Sequence, residues 1–342
     1  MTASTAPRAF ITGCAGMHLT AEEEVFLRET NPWGLILFRR NVETPAQVAA
    51  LVAAFRAIVG RPDAPILIDQ EGGRVQRLGP PHWPVYPPAD VFAQLATRTG
   101  EAAGAEAARL GARLMADDLA ALGINVDCVP CADLRLPEGH GIIGDRAYGE
   151  TPERVAVLAR AAAEGLMQGG VLPVLKHIPG HGRARADSHE SLPVVDTPRA
   201  ELEATDFEAF RRLADLPLGM TAHVVYTAID PHTPATTSNR VIAEIIRDFI
   251  GFDGALMSDD LSMSALSGPL TSRTEAAFAA GCDLVLHCNG KMDEMRDVAS
   301  RTPLLAGEAA RRCAAALARI AAPTRIEQTQ ARARFSDMIA AS

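Results

Sequence analysis

Between Lys176 and His189 the chain gathers a lysine, three histidines and an acid in one short segment, Lys176-His177-Ile178-Pro179-Gly180-His181-Gly182-Arg183-Ala184-Arg185-Ala186-Asp187-Ser188-His189. Imidazole titrates near neutral pH, and an aspartate two residues away can raise its basicity and fix its tautomer, so the pattern suits proton transfer. The segment follows Val171-Leu172-Pro173-Val174-Leu175, an apolar run that reads as a buried strand. Three further stretches carry reactive groups: Asp69-Gln70-Glu71-Gly72-Gly73-Arg74-Val75-Gln76-Arg77, Gly144-Asp145-Arg146-Ala147-Tyr148-Gly149 and Ser258-Asp259-Asp260. Asp69 and Asp259 each end a run of apolar or small residues, where an unpaired carboxylate is costly to bury. A cap or a salt bridge accounts for either alone; both beside Arg77, Arg146 and Lys176 predict a polar pocket.

Positioning such groups requires rigid elements. Strand-like runs occur at 10–12, 34–38, 66–70, 124–129, 173–177, 219–225, 255–259 and 284–287, alternating with amphipathic runs at 21–30, 45–59, 100–122, 152–168, 198–214, 241–249, 273–280 and 307–321. Thr20 with Glu23, Thr44 with Gln47 and Ser272 with Glu275 fit capping boxes, and Thr151-Pro152 fits an N-cap before an N1 proline. Gly123 and Gly169-Gly170 mark helix ends. This alternation, without a break in composition, predicts a single α/β domain over 1–342, a (β/α)8 TIM-type barrel. A doubly wound open sheet is the rival, but it ordinarily uses fewer strands, and neither GxGxxG nor GxxxxGK[ST] occurs. The polar, Arg- and Ala-rich stretch 324–342 reads as a final helix on the outside. On a barrel, the strand ends carrying Asp69, Lys176 with His177, His223 and Asp259 share one mouth.

The chain has 342 residues, 48% of them hydrophobic and 22% charged, enough for a large core. Its formal net charge of -9 argues against nucleic acid or an anionic membrane as partner, though not against a locally positive site. Nothing reads as a signal peptide, and no apolar run is long enough to span a bilayer. Cys14, Cys128, Cys131, Cys282, Cys288 and Cys313 are scattered, which suggests reduced thiols in a cytoplasm. Cys128-Val129-Pro130-Cys131 has the spacing of a redox or zinc pair. It sits in a strand-to-loop stretch without a second pair, so buried structural thiols are the better reading.

The stretches Ile68-Asp69-Gln70-Glu71-Gly72-Gly73-Arg74-Val75-Gln76-Arg77, Lys176-His177-Ile178-Pro179-Gly180-His181-Gly182, Asp187-Ser188-His189 and Ser258-Asp259-Asp260-Leu261-Ser262-Met263 together resemble glycoside hydrolase family 3 β-N-acetylglucosaminidases. The resemblance is to the bacterial single-domain type that acts in peptidoglycan recycling. Ile178 departs from the family's usual Phe but stays apolar. The resemblance implies Asp259 as nucleophile, with Asp260 a neighbouring structural or hydrogen-bonding acid. It implies His189 as general acid/base, held and polarised by Asp187. Asp69, Arg77, Arg146, Lys176 and His177 would bind N-acetylglucosamine in the −1 subsite. It further implies no cofactor, no metal, and a small glycan partner, N-acetylglucosaminyl-anhydro-muramyl peptides.

Chemistry agrees with those roles: a retaining glycosidase needs one carboxylate to attack the anomeric carbon and one group to protonate the leaving oxygen. Two rivals stand beside this reading. One is a metal-dependent hydrolase using His177, His181, His189 and Asp187, which suit zinc, although the first strand lacks the HxH pair usual in amidohydrolase barrels. The other is a catalytically silent amino-sugar-binding protein. Two local expectations complete the reading: a cis peptide at Ile178-Pro179, and a weakly buried, mobile loop over 180–192.

Overall fold

The computed structural model describes residues 6–340 apart from Glu138, His140, His189 and Glu190. Among them, parallel strands β1 (Arg8–Thr12), β2 (Pro32–Leu37), β3 (Ile66–Ile68), β4 (Val126–Asp127), β5 (Leu172–Ile178), β6 (Leu218–Thr221), β7 (Ala255–Asp260) and β8 (Leu284–His287) close into a barrel. Their order around the barrel is their order in the chain, and β8 pairs with β1. Closure removes both sheet edges, so the open doubly wound alternative is excluded. The sequence strands at 124–129 and 219–225 shorten to β4 and β6. Beyond them the chain turns inward to build the site.

The helices are α1 (Ala21–Thr30), α2 (Pro45–Val59), α3 (Ala89–Thr99), α4 (Glu101–Ala120), α5 (Pro152–Gln168), α6 (Arg199–Ala204), α7 (Asp206–Arg211), α8 (Leu270–Ala280), α9 (Met292–Arg301), α10 (Gly307–Leu317) and α11 (Gln328–Ala340). A further helical turn with π-type bonding spans Val241–Phe249. Thr20 and Glu23 form the anticipated capping box, and Thr44 and Thr151 cap α2 and α5 ahead of N1 prolines. Three expectations fail. Gln47 turns its side chain to the Glu43 N–H rather than to Thr44. Ser272 lies inside α8, which starts after Pro269. The run at 198–214 breaks at Thr205, whose hydroxyl bonds the Glu201 carbonyl and Asp206 and so competes with the helical ladder. Helices α3 and α9 were not anticipated from the sequence.

Side chains alternate between the two faces of each strand. The inward set, including Ile11, Leu67, Val126, Val174, Met220, Met257 and Leu286, packs as one apolar cluster filling the lumen, joined from below by Cys313 and Ala316 of α10. The outward set, including Phe10, Ile68, Leu175 and Leu256, packs against the helices in a second, larger cluster. All six cysteines are free thiols, and burial pushes those of Cys128 and Cys131 well above their ordinary value. Cys128 and Cys131 are buried, as the sequence suggested.

Candidate active site

The two-residue period carries the chemistry to the mouth. Asp69 lies two residues beyond Leu67, Lys176 two beyond Val174, and Asp259 two beyond Met257, so each continues the inward row of its strand just above the apolar filling. Together with His177, Arg77 and Arg146 they line one pocket of about 270 Å³, floored by Ile36, Met220 and Leu286. That is the small end of the range for ligand sites and suits one sugar ring rather than a chain. The turn at Gly72-Gly73 joins two short antiparallel strands that follow β3, Gln70–Gly72 and Val75–Gln76. Both glycines have positive φ (88° and 56°), and a Cβ on Gly72 would lie 2.2 Å from the Pro87 carbonyl oxygen.

Buried charges in the pocket are paired. The Lys176 ammonium is 2.9 Å from Asp69 Oδ1 and 2.6 Å from Glu71 Oε1. Arg77 donates to Asp69 Oδ2 at 3.0 Å, and Arg146 grips Glu71 through two bonds of 2.8 Å. Burial alone would raise both carboxyls. Lys176 and Arg77 outweigh it at Asp69, holding that group well below the usual carboxylate range. Arg146 and Lys176 hold Glu71 at about 2. Burial would likewise lower the Lys176 ammonium, but Asp69 and Glu71 raise it above the usual lysine value. Both acids are therefore fixed as anions, able to accept from sugar hydroxyls. Glu71 was not singled out from sequence, because nothing local shows that Arg146 and Lys176 converge on it.

A second network lies behind the pocket. After β4 the chain runs beside β5, where Ala132 donates to the Lys176 carbonyl at 2.7 Å, which brings Asp133 against His177. Asp133 Oδ2 is 2.6 Å from His177 Nδ1, and Oδ1 accepts the His181 N–H at 2.6 Å. Burial would raise the Asp133 carboxyl, but His177 and His181 outweigh it and keep it well below the ordinary range. His181 also lines the pocket. Burial, then the neighbouring His177, lower its imidazole to about 4. The peptides Lys176-His177 and Ile178-Pro179 are both cis, the second as anticipated.

The loop after β5 is better anchored than its composition suggested. A Cβ on Gly182 would sit 2.2 Å from the Leu134 carbonyl oxygen. Arg183 pairs with Asp206 at 2.7 Å and with Glu201 at 2.9 Å, and Ala184 is buried. Ser188 is buried too: its hydroxyl is 3.3 Å from His181 Nε2, and its carbonyl accepts from the Ala265 N–H at 3.1 Å. The expectation of weak burial therefore fails at 180–184 and at Ser188, through contacts made by residues distant in sequence, while Arg185, Ser191 and Leu192 are exposed as anticipated. Asp187 is half-buried, and its carbonyl accepts from Ser191 N–H at 2.9 Å. His189 lies outside the described residues.

Asp259 and Asp260 divide into different roles. Asp260 accepts from the Ser262 N–H and hydroxyl and from the Cys288 N–H. Asp259 accepts from the Asp260 N–H at 2.8 Å and, among the described residues, makes no ion pair. Burial would raise its carboxyl, but His223, His177, the Asp260 N–H and Lys176 outweigh this and lower it. It is an ionised, uncommitted carboxylate facing the pocket. His223 lies fully buried beneath it, bonded to Thr236 and to the Asp260 carbonyl. His223 thus supports the strand-7 turn.

Of the donors named for the metal-dependent alternative, His189 lies outside the described residues. Among the described residues, the donors closest to a ligand set are Cys131, Asp133 and His177. Yet Asp133 Oδ2 stands 2.6 Å from His177 Nδ1 and 3.2 Å from Cys131 Sγ. Donors around a tetrahedral zinc, at bonds of about 2.0–2.3 Å, stand about 3.3 Å or more apart. The spacing fits a hydrogen-bonded cluster instead.

Known proteins resemble this chain over most of its length. The family described as the glycosyl hydrolase family 3 N terminal domain matches residues 12–322. A beta-hexosaminidase of Alkalilimnicola ehrlichii is 44% identical over 284 residues, covering 81% of this chain and 79% of that one. A beta-hexosaminidase of Pseudomonas aeruginosa is 42% identical over 282 residues, covering 81% of each. Among solved structures, NagZ from Neisseria gonorrhoeae in complex with N-trifluoroacetyl-D-glucosamine superposes with a TM-score of 0.85 at 32% identity, covering 98% of this chain and 97% of that one.

Proposed function

The chain belongs to glycosyl hydrolase family 3 and is a glycoside hydrolase; on that premise we propose that it is a retaining exo-β-N-acetylglucosaminidase acting through a covalent glycosyl-enzyme. Asp259 carries the reading: its carboxyl is lowered, it lines the pocket, and among the described residues it makes no ion pair. Asp69 and Glu71, by contrast, are neutralised by Lys176, Arg77 and Arg146.

In the proposed reaction a terminal N-acetylglucosamine enters the pocket. Its hydroxyls bond Asp69, Arg77, Arg146, Lys176 and His177. An Asp259 oxygen attacks the anomeric carbon as the glycosidic C–O bond breaks, and His189, polarised by Asp187, gives its proton to the leaving oxygen. Water then enters, loses a proton to His189 and displaces Asp259 from the same carbon, so that two inversions leave the β configuration. Fixed charges around the sugar need no reorganisation as positive charge develops on its ring, which favours the transition state.

The single-ring pocket supports exo cleavage. The N-acetylglucosamine ligand class comes from the neighbour whose complex holds N-trifluoroacetyl-D-glucosamine. The one barrel supplies every group this reading uses. The leaving group we propose is the anhydro-muramyl peptide of recycled peptidoglycan. The compartment we propose is the cytoplasm, supported by six free thiols. Among the described residues no helix is long and apolar enough to cross a membrane. The test is product analysis on N-acetylglucosamine β-linked to anhydro-N-acetylmuramic acid, with proton NMR of the first-formed sugar. Release of the β-anomer supports the mechanism, and an initial α-anomer overturns it.

A further inference from the structure

Asp133 belongs to no wall of the pocket, yet it is wholly buried and its carboxylate collects donors from three places. Its Oδ2 takes His177 Nδ1 at 2.6 Å and Cys131 Sγ at 3.2 Å, and its Oδ1 takes the His181 N–H at 2.6 Å. An ionised carboxylate can only accept, so the ring hydrogen of a neutral His177 must sit on Nδ1. In the neutral ring Nε2 is left with its electron pair, and His177 lines the pocket. We propose that Asp133 is a positioning residue for the sugar: it holds His177 in the tautomer whose Nε2 accepts a hydrogen bond from a substrate hydroxyl. This rests on the reading of the pocket as a sugar site.

The geometry makes the carboxylate hard to replace. Both oxygens face obligatory donors, one from a ring and one from the backbone. An asparagine has one acceptor and one donor for those two places. If its NH2 faces the His181 N–H, two donors meet with no acceptor between them. If it faces His177, the imidazole must move its hydrogen to Nε2, which a ring with two tautomers does readily. The second arrangement is the cheaper one, and it turns Nε2 from acceptor into donor.

The proposal is tested by long-range proton–nitrogen correlation NMR on 15N-labelled protein, with the His177 signals assigned by their loss in His177→Gln, together with steady-state kinetics of Asp133→Asn on an aryl N-acetyl-β-glucosaminide. The wild type should show hydrogen on Nδ1, and Asp133→Asn should shift it to Nε2. KM should rise about tenfold, the size of one lost hydrogen bond, with a smaller change in kcat. A merely structural aspartate would not move the tautomer. A wild-type ring protonated on Nε2, an unaltered tautomer in Asp133→Asn, or a loss confined to kcat overturns the proposal. If Asp133→Asn does not fold, the wild-type spectrum alone still decides. Absence of turnover on every N-acetylglucosaminide would instead overturn the sugar reading, and the spectrum of the free protein separates the two failures.

Discussion

The Asp260 N–H points at Asp259 Oδ1 from 2.8 Å, while the Asp260 side chain is itself spent on Ser262 and the Cys288 N–H. Two adjacent acids thus have unlike environments, one free to react and the other bracing the turn that aims it. Asp259→Ala should lower kcat on the order of 10⁴-fold or more, as loss of a nucleophile does, with the circular dichroism spectrum unchanged. An activated fluoro-sugar should label Asp259, read by peptide mass spectrometry. Asp260→Asn should instead cost stability of about 1–3 kcal/mol. Label found on Asp260 would reverse the assignment.

Lys176 is shared by Asp69 and Glu71 in the wall of the pocket. Lys176→Met would leave two buried carboxylates short of a cation. We expect a loss of about 3–5 kcal/mol, the range for breaking a buried pair, measured as a lower urea midpoint with unchanged slope. An unaltered midpoint would mean that Arg77 and Arg146 suffice without it.

Acid stability follows from the sign of the shifts. Glu71 is lowered from 4.5 to about 2, so its stabilisation is complete above 4.5 and is lost as pH falls toward 2. His181 is lowered from 6.5 to about 4, so the folded state resists its protonation and stability declines as pH falls from 6.5 to 4. His223 acts with the same sign. The melting temperature should therefore begin to fall below about pH 6.5 and drop more steeply below about 4.5. His181→Gln should flatten the first part of that curve. A profile level down to pH 4 would contradict the cause assigned to both imidazoles.

For Asp187 and His189 the discriminating variable is the leaving group. Asp187→Ala and His189→Ala should slow hydrolysis of a disaccharide by about 10²–10⁴-fold, the usual reach of general acid catalysis. They should affect an activated aryl glycoside far less. Equal losses on both substrates would show that His189 is not the proton donor.

Incubation with EDTA should leave the rate on an aryl N-acetyl-β-glucosaminide unchanged. Activity lost to the chelator and restored by zinc would return the metal-dependent reading.

Much of this arrangement could be read along the chain because it depends on short-range periodicity. Short apolar runs alternating with longer amphipathic ones, capping pairs such as Thr20 with Glu23, and acids placed just past apolar runs were enough to anticipate the barrel and to bring Asp69, Lys176 and Asp259 to one mouth. The partners of those groups were a different matter. Lys176 meets Asp69 across 107 residues, Arg146 meets Glu71 across 75, and His177 meets Asp133 across 44. Nothing local distinguishes Glu71 from a solvated acid, whereas Asp133 follows the apolar stretch Val129-Pro130-Cys131-Ala132 and carried the same signal as Asp69 and Asp259. The loop up to Ser188 looked weakly held for the same reason, since its anchors Asp206, Leu134 and Ala265 come from other elements. A one-dimensional pattern records which face a residue takes, because that depends on its neighbours in the chain. Which charge answers another is decided only when closure of the barrel brings distant strand ends within hydrogen-bonding distance.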